Sequence, residues 1–215
     1  HPAEKNPARF LLFISFFPQL IQGPINRYGA MEPQLTAAHS WEWERTKRAL
    51  FVILFGAMKK YAIANLTAPT IAAILDRNAP TLAGSMALLA ILLYSLPQYA
   101  DFSGGIDMVL GVAQLFGIEM MPNFRQPYFS TSLGDFWRRW HISLSSWFRD
   151  YVYIPLGGSR CRLRRTCLNL LIVFTLTGLW HGAAWQYVVF GLLHGVILCL
   201  ERLGLGRLLS QLPKF

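Results

Sequence analysis

The chain has 215 residues, of which 53% are hydrophobic and only 14% are charged. A soluble domain carries about 25% charged residues, so this composition excludes an ordinary soluble protein and predicts an integral membrane protein. The formal net charge of +9 does not indicate nucleic-acid binding, because the basic residues punctuate apolar runs. Anionic lipid headgroups are the expected counter-ions.

The cysteines and the start of the chain carry little functional signal. Cys161, Cys167 and Cys199 have no metal-type spacing, so we expect neither a disulfide framework nor a metal site. The chain opens at His1 without an initiator methionine or a secretory signal, and we expect it to be a piece of a longer polypeptide.

The first apolar run, residues 11–17, is too short to cross a bilayer. It meets Pro18 and then Gly23 and Pro24, which break helices. Residues 10–25 are therefore predicted to form an interrupted or re-entrant element. Irregular backbone at membrane depth must be buried in protein or line a cavity.

The next apolar run, from residue 49 to about residue 75, is interrupted by Lys59 and Lys60. Two adjacent lysines argue against one simple membrane span. They would be compatible with a span if they snorkel or face the interior of a helix bundle.

Residues 81–100 form a cleaner candidate span of about twenty residues, the length needed to cross the hydrocarbon core. Residues 97–105 are predicted to be a kink and loop that carries Asp101, with Asp107 nearby. Residues 106–121 then form a shorter helix packed within the bundle. Both aspartates are expected to hydrogen-bond a histidine or to cap a helix.

Residues 132–153 have aromatic and apolar residues at helical spacing and predict one amphipathic helix. Ser132 and Asp135 resemble a helix-starting cap. Tryptophans beside arginines fit a helix at the headgroup boundary. By periodicity alone, His141 is one polar member of this interfacial stripe.

Residues 155–158 end this element, and a group of arginines follows. By the positive-inside tendency, this loop is expected to be cytoplasmic and to contact lipid. The arginines of the group are Arg160, Arg162, Arg164 and Arg165.

His181 lies in the run TGLWHGAAW at residues 177–185, inside an apolar stretch. Ionisable residues within membrane segments usually line a pathway or a site, so this histidine is a candidate functional residue. Small neighbours leave room for a ligand, and Trp180 and Trp185 are candidate walls of that space. The alternative is a hydrogen-bonded histidine that only joins two helices. His194 is interpreted as packing or as a support for other residues.

Four segments together resemble the membrane-bound O-acyltransferases. They are GDFWRRWHISLSSWFRDYVYIPLGG at residues 134–158, GLWHGAAW at 178–185, FPQLIQGP at 17–24 and DFSGG at 101–105. Within this family, YIPLGG at 153–158 is closer to the bacterial alginate O-acetyltransferase branch than to the D-alanyl-transferring branch.

The resemblance implies an all-α, polytopic membrane helical bundle with re-entrant and interfacial helices and a central tunnel or funnel. Residues 1–215 would form a single membrane-embedded core that lacks the N-terminal helices of the family. The expected location is the bacterial inner membrane. His181 would take the place of the family's essential histidine and His141 that of its partner.

The implied activity is transfer of an acetyl group from a cytoplasmic thioester, acetyl-CoA or another, to hydroxyls of an extracytoplasmic polysaccharide such as alginate. The expected partners are membrane lipids, the acyl donor, the polysaccharide and an extracytoplasmic acetyltransferase protein, with no nucleic acid. No tightly bound cofactor is expected.

Imidazole suits general-base chemistry at neutral pH, so His181 is the expected base. His141 would donate to the oxyanion or orient the acceptor. Asn123, Gln126 and Ser143 are weaker candidates. Substrate contacts are expected from Trp180, Trp185 and Asp101. The phosphates of coenzyme A are expected to be bound by the arginine group, Arg160, Arg162, Arg164 and Arg165.

Three alternatives stay open. The nearest is D-alanyl transfer to teichoic acid. A transporter or channel also uses intramembrane histidines, but this sequence has no evident pair of matched broken segments. A structural scaffold would use its polar residues only as contacts between helices.

Overall fold

The computed structural model describes residues 4–20, 22–78, 84–205 and 211. Every regular element in these residues is helical, which confirms the all-α prediction. The chain divides into two compact units, His1–Met121 and Pro122–Phe215. The first unit contains α1 (Pro7–Ser15), α2 (Tyr28–Thr36), α3 (Trp43–Ala57), α4 (Asn65–Asn78) and α5 (Gly84–Leu115). The second contains α6 (Leu133–Arg139), α7 (Ile142–Phe148), α8 (Leu163–His181) and α9 (Trp185–Leu200).

The first element is interrupted, as predicted. Helix α1 ends at Ser15, and a short 3-10 turn, Phe17–Gln19, follows. The chain then folds back so closely that a Cβ on Gly23 would lie 2.1 Å from the carbonyl oxygen of Pro18. Proline and glycine thus end the helix here, for the steric reasons that the sequence indicates.

Lys59 and Lys60 lie in a π-helical segment, Met58–Ala64, that joins α3 to α4 without a break. The Lys59 ammonium group pairs with Asp107 and lies 3.0 Å from Oγ of Ser103, while Lys60 pairs with Asp101. Both lysines therefore face α5, which is the arrangement that makes them compatible with a span.

The predicted loop at residues 97–105 is wrong, because α5 runs through it as one helix of 32 residues. Packing explains the difference. A Cβ on Gly104 would lie 2.6 Å from the carbonyl oxygen of Gly56 on α3, and one on Gly105 would lie 2.3 Å from Oε1 of Gln22. These glycines permit close contact with neighbouring segments instead of ending a helix. Residues 81–83 of the predicted span lie outside the described residues.

The predicted continuous amphipathic helix at residues 132–153 is also wrong, because it breaks at His141. The N-terminal cap is confirmed: the Oγ of Ser132 accepts a hydrogen bond of 3.0 Å from the backbone N–H of Asp135. The carboxylate of Glu201 accepts two further hydrogen bonds at the same helix end, from the backbone N–H of Leu133 at 2.6 Å and that of Gly134 at 3.0 Å.

Helices α8 and α9 form a hairpin held by glycines at their crossing. A Cβ on Gly178 would lie 2.2 Å from the carbonyl oxygen of Tyr187, and one on Gly191 would lie 2.2 Å from that of Phe174. Only hydrogen atoms fit at these two positions. The crossing fixes the end of α8, where His181 lies.

Two helical stretches among the described residues are long and apolar enough to cross a membrane. They are Trp43–Ile74 and Trp185–Leu205. Their lengths, 32 and 21 residues, meet or exceed the roughly 20 residues that a span requires.

Candidate functional site

His181 is the last residue of α8, and its side chain is exposed in the second unit. Three aromatic rings surround the imidazole. Its centroid lies 4.9 Å from that of Trp180, 6.4 Å from that of Tyr187 and 5.9 Å from that of Phe190. Among the described residues, no hydrogen bond fixes the orientation of this ring. An exposed imidazole among aromatic rings is suited to a substrate with a polar group.

The helix ends at His181 because the chain turns at Gly182. The N–H of Gly182 donates a hydrogen bond of 3.2 Å to the carbonyl oxygen of Leu179, and α9 begins at Trp185. A Cβ on Gly182 would lie 2.6 Å from the ring of Tyr187. Glycine at this position therefore lets the tyrosine pack beside the histidine.

His141 lies at the junction of α6 and α7 and is buried, with 6% of its surface exposed. Its backbone is left-handed, with φ at 45° and ψ at 53°. A residue other than glycine adopts this conformation at an energetic cost, so the surroundings must hold it there. This turn is what breaks the predicted amphipathic helix.

The segment that precedes α6 holds the turn in place. The backbone carbonyl oxygen of Asn123 accepts a hydrogen bond of 3.0 Å from the N–H of Ile142. The backbone N–H of Arg125 donates a hydrogen bond of 2.9 Å to the backbone carbonyl oxygen of Arg139. The side-chain Oδ1 of Asn123 lies 3.2 Å from Nδ1 of His141. Asn123 and Arg125, which follow Pro122 closely, thus hold the His141 turn in place.

The electrostatic environment of His141 favours the neutral ring. The pKa of His141 is lowered to about 4. Burial is the larger cause, and the positive charge of a protonated His181 is the smaller one. An unperturbed histidine titrates near 6.5. His141 is therefore neutral at pH 7 and carries one N–H and one lone pair.

The two histidines meet at Trp180. The centroid of the indole ring lies 5.9 Å from that of His141 and 4.9 Å from that of His181. The indole is 54% exposed, so a substrate that reaches His181 also reaches this face of the tryptophan. The second unit therefore brings together the two histidines and one of the tryptophans that the sequence predicts.

The other predicted residues lie on α5 and α9. Trp185 begins α9 and is 81% exposed. Asp101 lies in the first unit, where Lys60 occupies its carboxylate. His194 packs against Phe190, with ring centroids 4.3 Å apart, and its Nδ1–H donates a hydrogen bond of 2.8 Å to the Phe190 carbonyl oxygen.

The predicted arginine group is exposed and spans the start of α8. Arg164 and Arg165 belong to the first turn of the helix, which begins at Leu163, so that part of the loop prediction is wrong. The helix N-terminus adds partial positive charge to that of the side chains. This end of α8 is suited to bind an anion.

A cavity of about 760 Å³ lies within the second unit and was not predicted. Hydrophobic residues of α8 and α9 form one wall, and Trp137 and several serines form another. Among the described residues that line it, neither His141 nor His181 is found. Four arginines contribute to the wall, namely Arg125, Arg138, Arg149 and Arg202.

Comparison with known proteins identifies the family of the chain. Residues 4–208 match the family model of the membrane-bound O-acyltransferase family. The chain is 41% identical to a peptidoglycan O-acetyltransferase of Helicobacter pylori, with 90% of this chain and 37% of the relative covered. It is 40% identical to a probable alginate O-acetylase of Azotobacter vinelandii, over 94% of this chain and 40% of the relative.

A more distant relative comes from the D-alanyl-transferring branch. The teichoic acid D-alanyltransferase of Bacillus subtilis is 33% identical over 88% of this chain and 50% of its own length. The chain thus spans half or less of each of these three relatives. Because the family model covers nearly the whole chain, the resemblance drawn from the sequence motifs is confirmed. The chain belongs to the membrane-bound O-acyltransferase family.

Proposed function

We propose that this chain is the catalytic part of a membrane enzyme that moves an acetyl group from a thioester to hydroxyl groups of an extracytoplasmic polysaccharide. The observation that carries the proposal is the convergence of His141 and His181 on Trp180 in a chain of this family. Two imidazoles beside an exposed aromatic surface fit a reaction that needs proton transfer to and from a bound sugar.

The chemistry of the transfer assigns a role to His181. The hydroxyl oxygen attacks the thioester carbonyl carbon, the C–S bond breaks, and the hydroxyl proton passes through an imidazole to the leaving thiolate. His181 is the proposed general base, because its ring is exposed to substrate and has no hydrogen-bond partner among the described residues. Trp180 and Trp185 are the proposed aromatic contacts for the sugar.

The donor is proposed to be acetyl-CoA or another acyl thioester on the cytoplasmic side. Phosphates of such a donor would be attracted to the exposed arginine group at the start of α8. The cavity of the second unit is a second candidate, because its size suits a ligand of several hundred Å³ and its arginines supply positive charge. Anionic lipid headgroups compete for both surfaces.

The acceptor is proposed to be a polysaccharide that is acetylated outside the inner membrane. Greater identity to the probable alginate O-acetylase and the peptidoglycan O-acetyltransferase than to the teichoic acid D-alanyltransferase favours acetyl over D-alanyl transfer. An extracytoplasmic acetyltransferase is the proposed protein partner. Asp101 is also a proposed substrate contact, and its ion pair with Lys60 would have to break before it binds substrate.

The membrane arrangement is also part of the proposal. The two candidate spans would belong to a multi-pass bundle in the bacterial inner membrane, with a tunnel that lets donor and acceptor reach His181 from opposite sides. Transfer across a bilayer requires such a passage, because neither a coenzyme nor a polysaccharide crosses hydrocarbon.

Deleting the gene tests this function directly. Mass spectrometry of the cell-surface polysaccharides is expected to show fewer O-acetyl groups in the deletion strain, with restoration by the wild-type gene. Loss of D-alanyl esters with unchanged acetylation would contradict acetyl transfer and support the D-alanyl alternative. Unchanged acetyl and D-alanyl content would contradict both forms of acyl transfer.

A further inference from the structure

Asn123 is almost completely buried, and the hydrogen bonds of its side chain are all made by one atom, Oδ1. Its Oδ1 accepts from the backbone N–H of Ser143 at 3.0 Å and from the Ser143 hydroxyl at 2.8 Å. The same oxygen lies 3.2 Å from Nδ1 of His141. The other end of the amide, Nδ2, has no hydrogen-bond partner among the described residues.

The backbone N–H of Ser143 determines which way the amide of Asn123 points. A backbone N–H can only donate, so the atom facing it must be the amide oxygen. A flipped amide would place NH₂ against this N–H and against the ring of His141. The identity of Oδ1 is therefore fixed by the fold and does not depend on a choice between two similar atoms.

The orientation of Asn123 fixes the position of the proton on His141. An amide oxygen only accepts hydrogen bonds, so Nδ1 of His141 must carry the hydrogen that lies between them. In the neutral ring, Nε2 then carries the lone pair. A neutral His141 in this tautomer cannot donate a hydrogen bond through Nε2.

We propose, on the basis of the proposed acyl transfer, that Asn123 is a positioning residue that holds His141 in the Nδ1–H tautomer, so that Nε2 of the neutral ring can accept a hydrogen bond but cannot donate one. This assignment removes the role of oxyanion donor from His141. His181 remains the proposed base.

An asparagine suits this task better than an aspartate. A carboxylate would also accept the three hydrogen bonds, but its negative charge would favour a protonated His141. A protonated ring has no lone pair to offer a hydroxyl group. The neutral amide keeps the ring neutral, at the expense of an unpaired Nδ2.

Other charged groups near His141 do not replace the effect of Asn123. On α8, His181 is the titratable group whose charge reaches His141. On α6, the guanidinium group of Arg139 is paired with Asp135, with 2.9 Å between Nε and Oδ2. The hydrogen bond to Asn123 places the hydrogen on Nδ1 of His141.

The tautomer is measured directly by ¹⁵N NMR of the intact protein in lipid bilayers, with ¹⁵N-labelled histidine. The signals of His141 are assigned by their loss in His141→Gln. We expect Nδ1 to be protonated and Nε2 unprotonated at pH 7 in the wild-type protein. A protonated Nε2 would overturn the proposal even if no variant of Asn123 folds.

Two substitutions of Asn123 separate positioning from simple packing. Asn123→Leu removes the acceptor and is expected to lower turnover by about 10²-fold, within the usual range for groups that assist proton transfer. Asn123→Asp keeps the acceptor and the tautomer. It is expected to retain activity with the acidic limb of its pH profile moved up by about one pH unit, because the carboxylate stabilises the imidazolium. If the aspartate variant is as inactive as the leucine variant at every pH, the positioning role is overturned.

Asn169 provides a matched control within the same unit. It is also fully buried, and its Nδ2 donates to the carbonyl oxygens of Leu156 at 3.1 Å and Gly158 at 3.2 Å. Asn169→Leu is expected to reduce the amount of folded protein while the pH profile and the His141 signals stay unchanged. A pH profile that moves as in Asn123→Asp would overturn the proposal.

Failure of the proposed function gives a different result. A wild-type protein with the expected tautomer but no acyl transfer would overturn the function and leave the tautomer assignment in place. An active wild-type protein with hydrogen on Nε2 would overturn the role of Asn123 alone.

Discussion

His181→Ala is expected to insert and accumulate like the wild-type protein and to lose acetyl transfer by about 10² to 10⁴-fold, the range that general-base assistance supplies. The side chain is exposed and no described residue forms a hydrogen bond with it, so its removal leaves neither a core cavity nor an unpaired group. Acetyl content of surface polysaccharide, divided by the amount of membrane-inserted protein, measures the effect.

His194→Gln is the matched control for this variant. His194 lies on α9, and its ring packs against Phe190 and Trp137, with centroids 4.3 and 5.4 Å away. Its Nδ1–H donates only to a backbone carbonyl oxygen. We expect this variant to retain transfer per molecule. Equal loss in both variants would indicate a general need for histidines in packing and would favour the scaffold interpretation.

Lys59→Met is expected to destabilise the protein by about 3 to 5 kcal/mol. The substitution leaves the largely buried carboxylate of Asp107, on α5, without its positively charged partner. The lysine side chain is 12% exposed and the aspartate 25%, so water compensates only in part. Lys59 also lies 5.1 Å from the ring centroid of Phe55 and 5.7 Å from that of Tyr99. Heating in detergent, followed by the fraction of monodisperse protein, measures the loss.

A second substitution tests whether the unpaired charge is the cause. Lys59→Met combined with Asp107→Leu removes both charges and is expected to recover most of the stability. Lys47→Met breaks an exposed pair with Glu44 on the same helix and is expected to change stability by at most about 1 kcal/mol. A double variant no more stable than Lys59→Met would show that Lys59 acts through its ring contacts or its hydrogen bond to Ser103 and not through the ion pair.

The sequence predicts the helical class and the interrupted first element well, because both depend on local properties. Apolar runs, prolines and the cap at Ser132 act within one or two turns of the chain. The error at residues 97–105 has the opposite origin. Pro97, Gly104 and Gly105 read locally as helix-ending residues, whereas contacts with α3 and Gln22 make the small glycines an advantage within α5.

The candidate site is predicted only in part. The motifs identify His141 and His181 through resemblance to a family, but they cannot show that Trp180 contacts both rings. The break at His141 depends on Asn123, which lies outside the periodic segment and has no pattern of its own. The sequence offers Asn123 only as a weaker candidate beside Gln126 and Ser143, because no spacing distinguishes it from them.

His181 is expected to take the proton of a sugar hydroxyl as the acetyl group leaves its thioester. This role is tested most directly with the intact protein in liposomes, by measuring thiol release from an acyl thioester together with acetyl transfer to the polysaccharide. We predict that the wild-type protein releases thiol and acetylates the polysaccharide in equal amounts, and that His181→Ala does neither above background. Wild-type rates of both in His181→Ala would contradict this role.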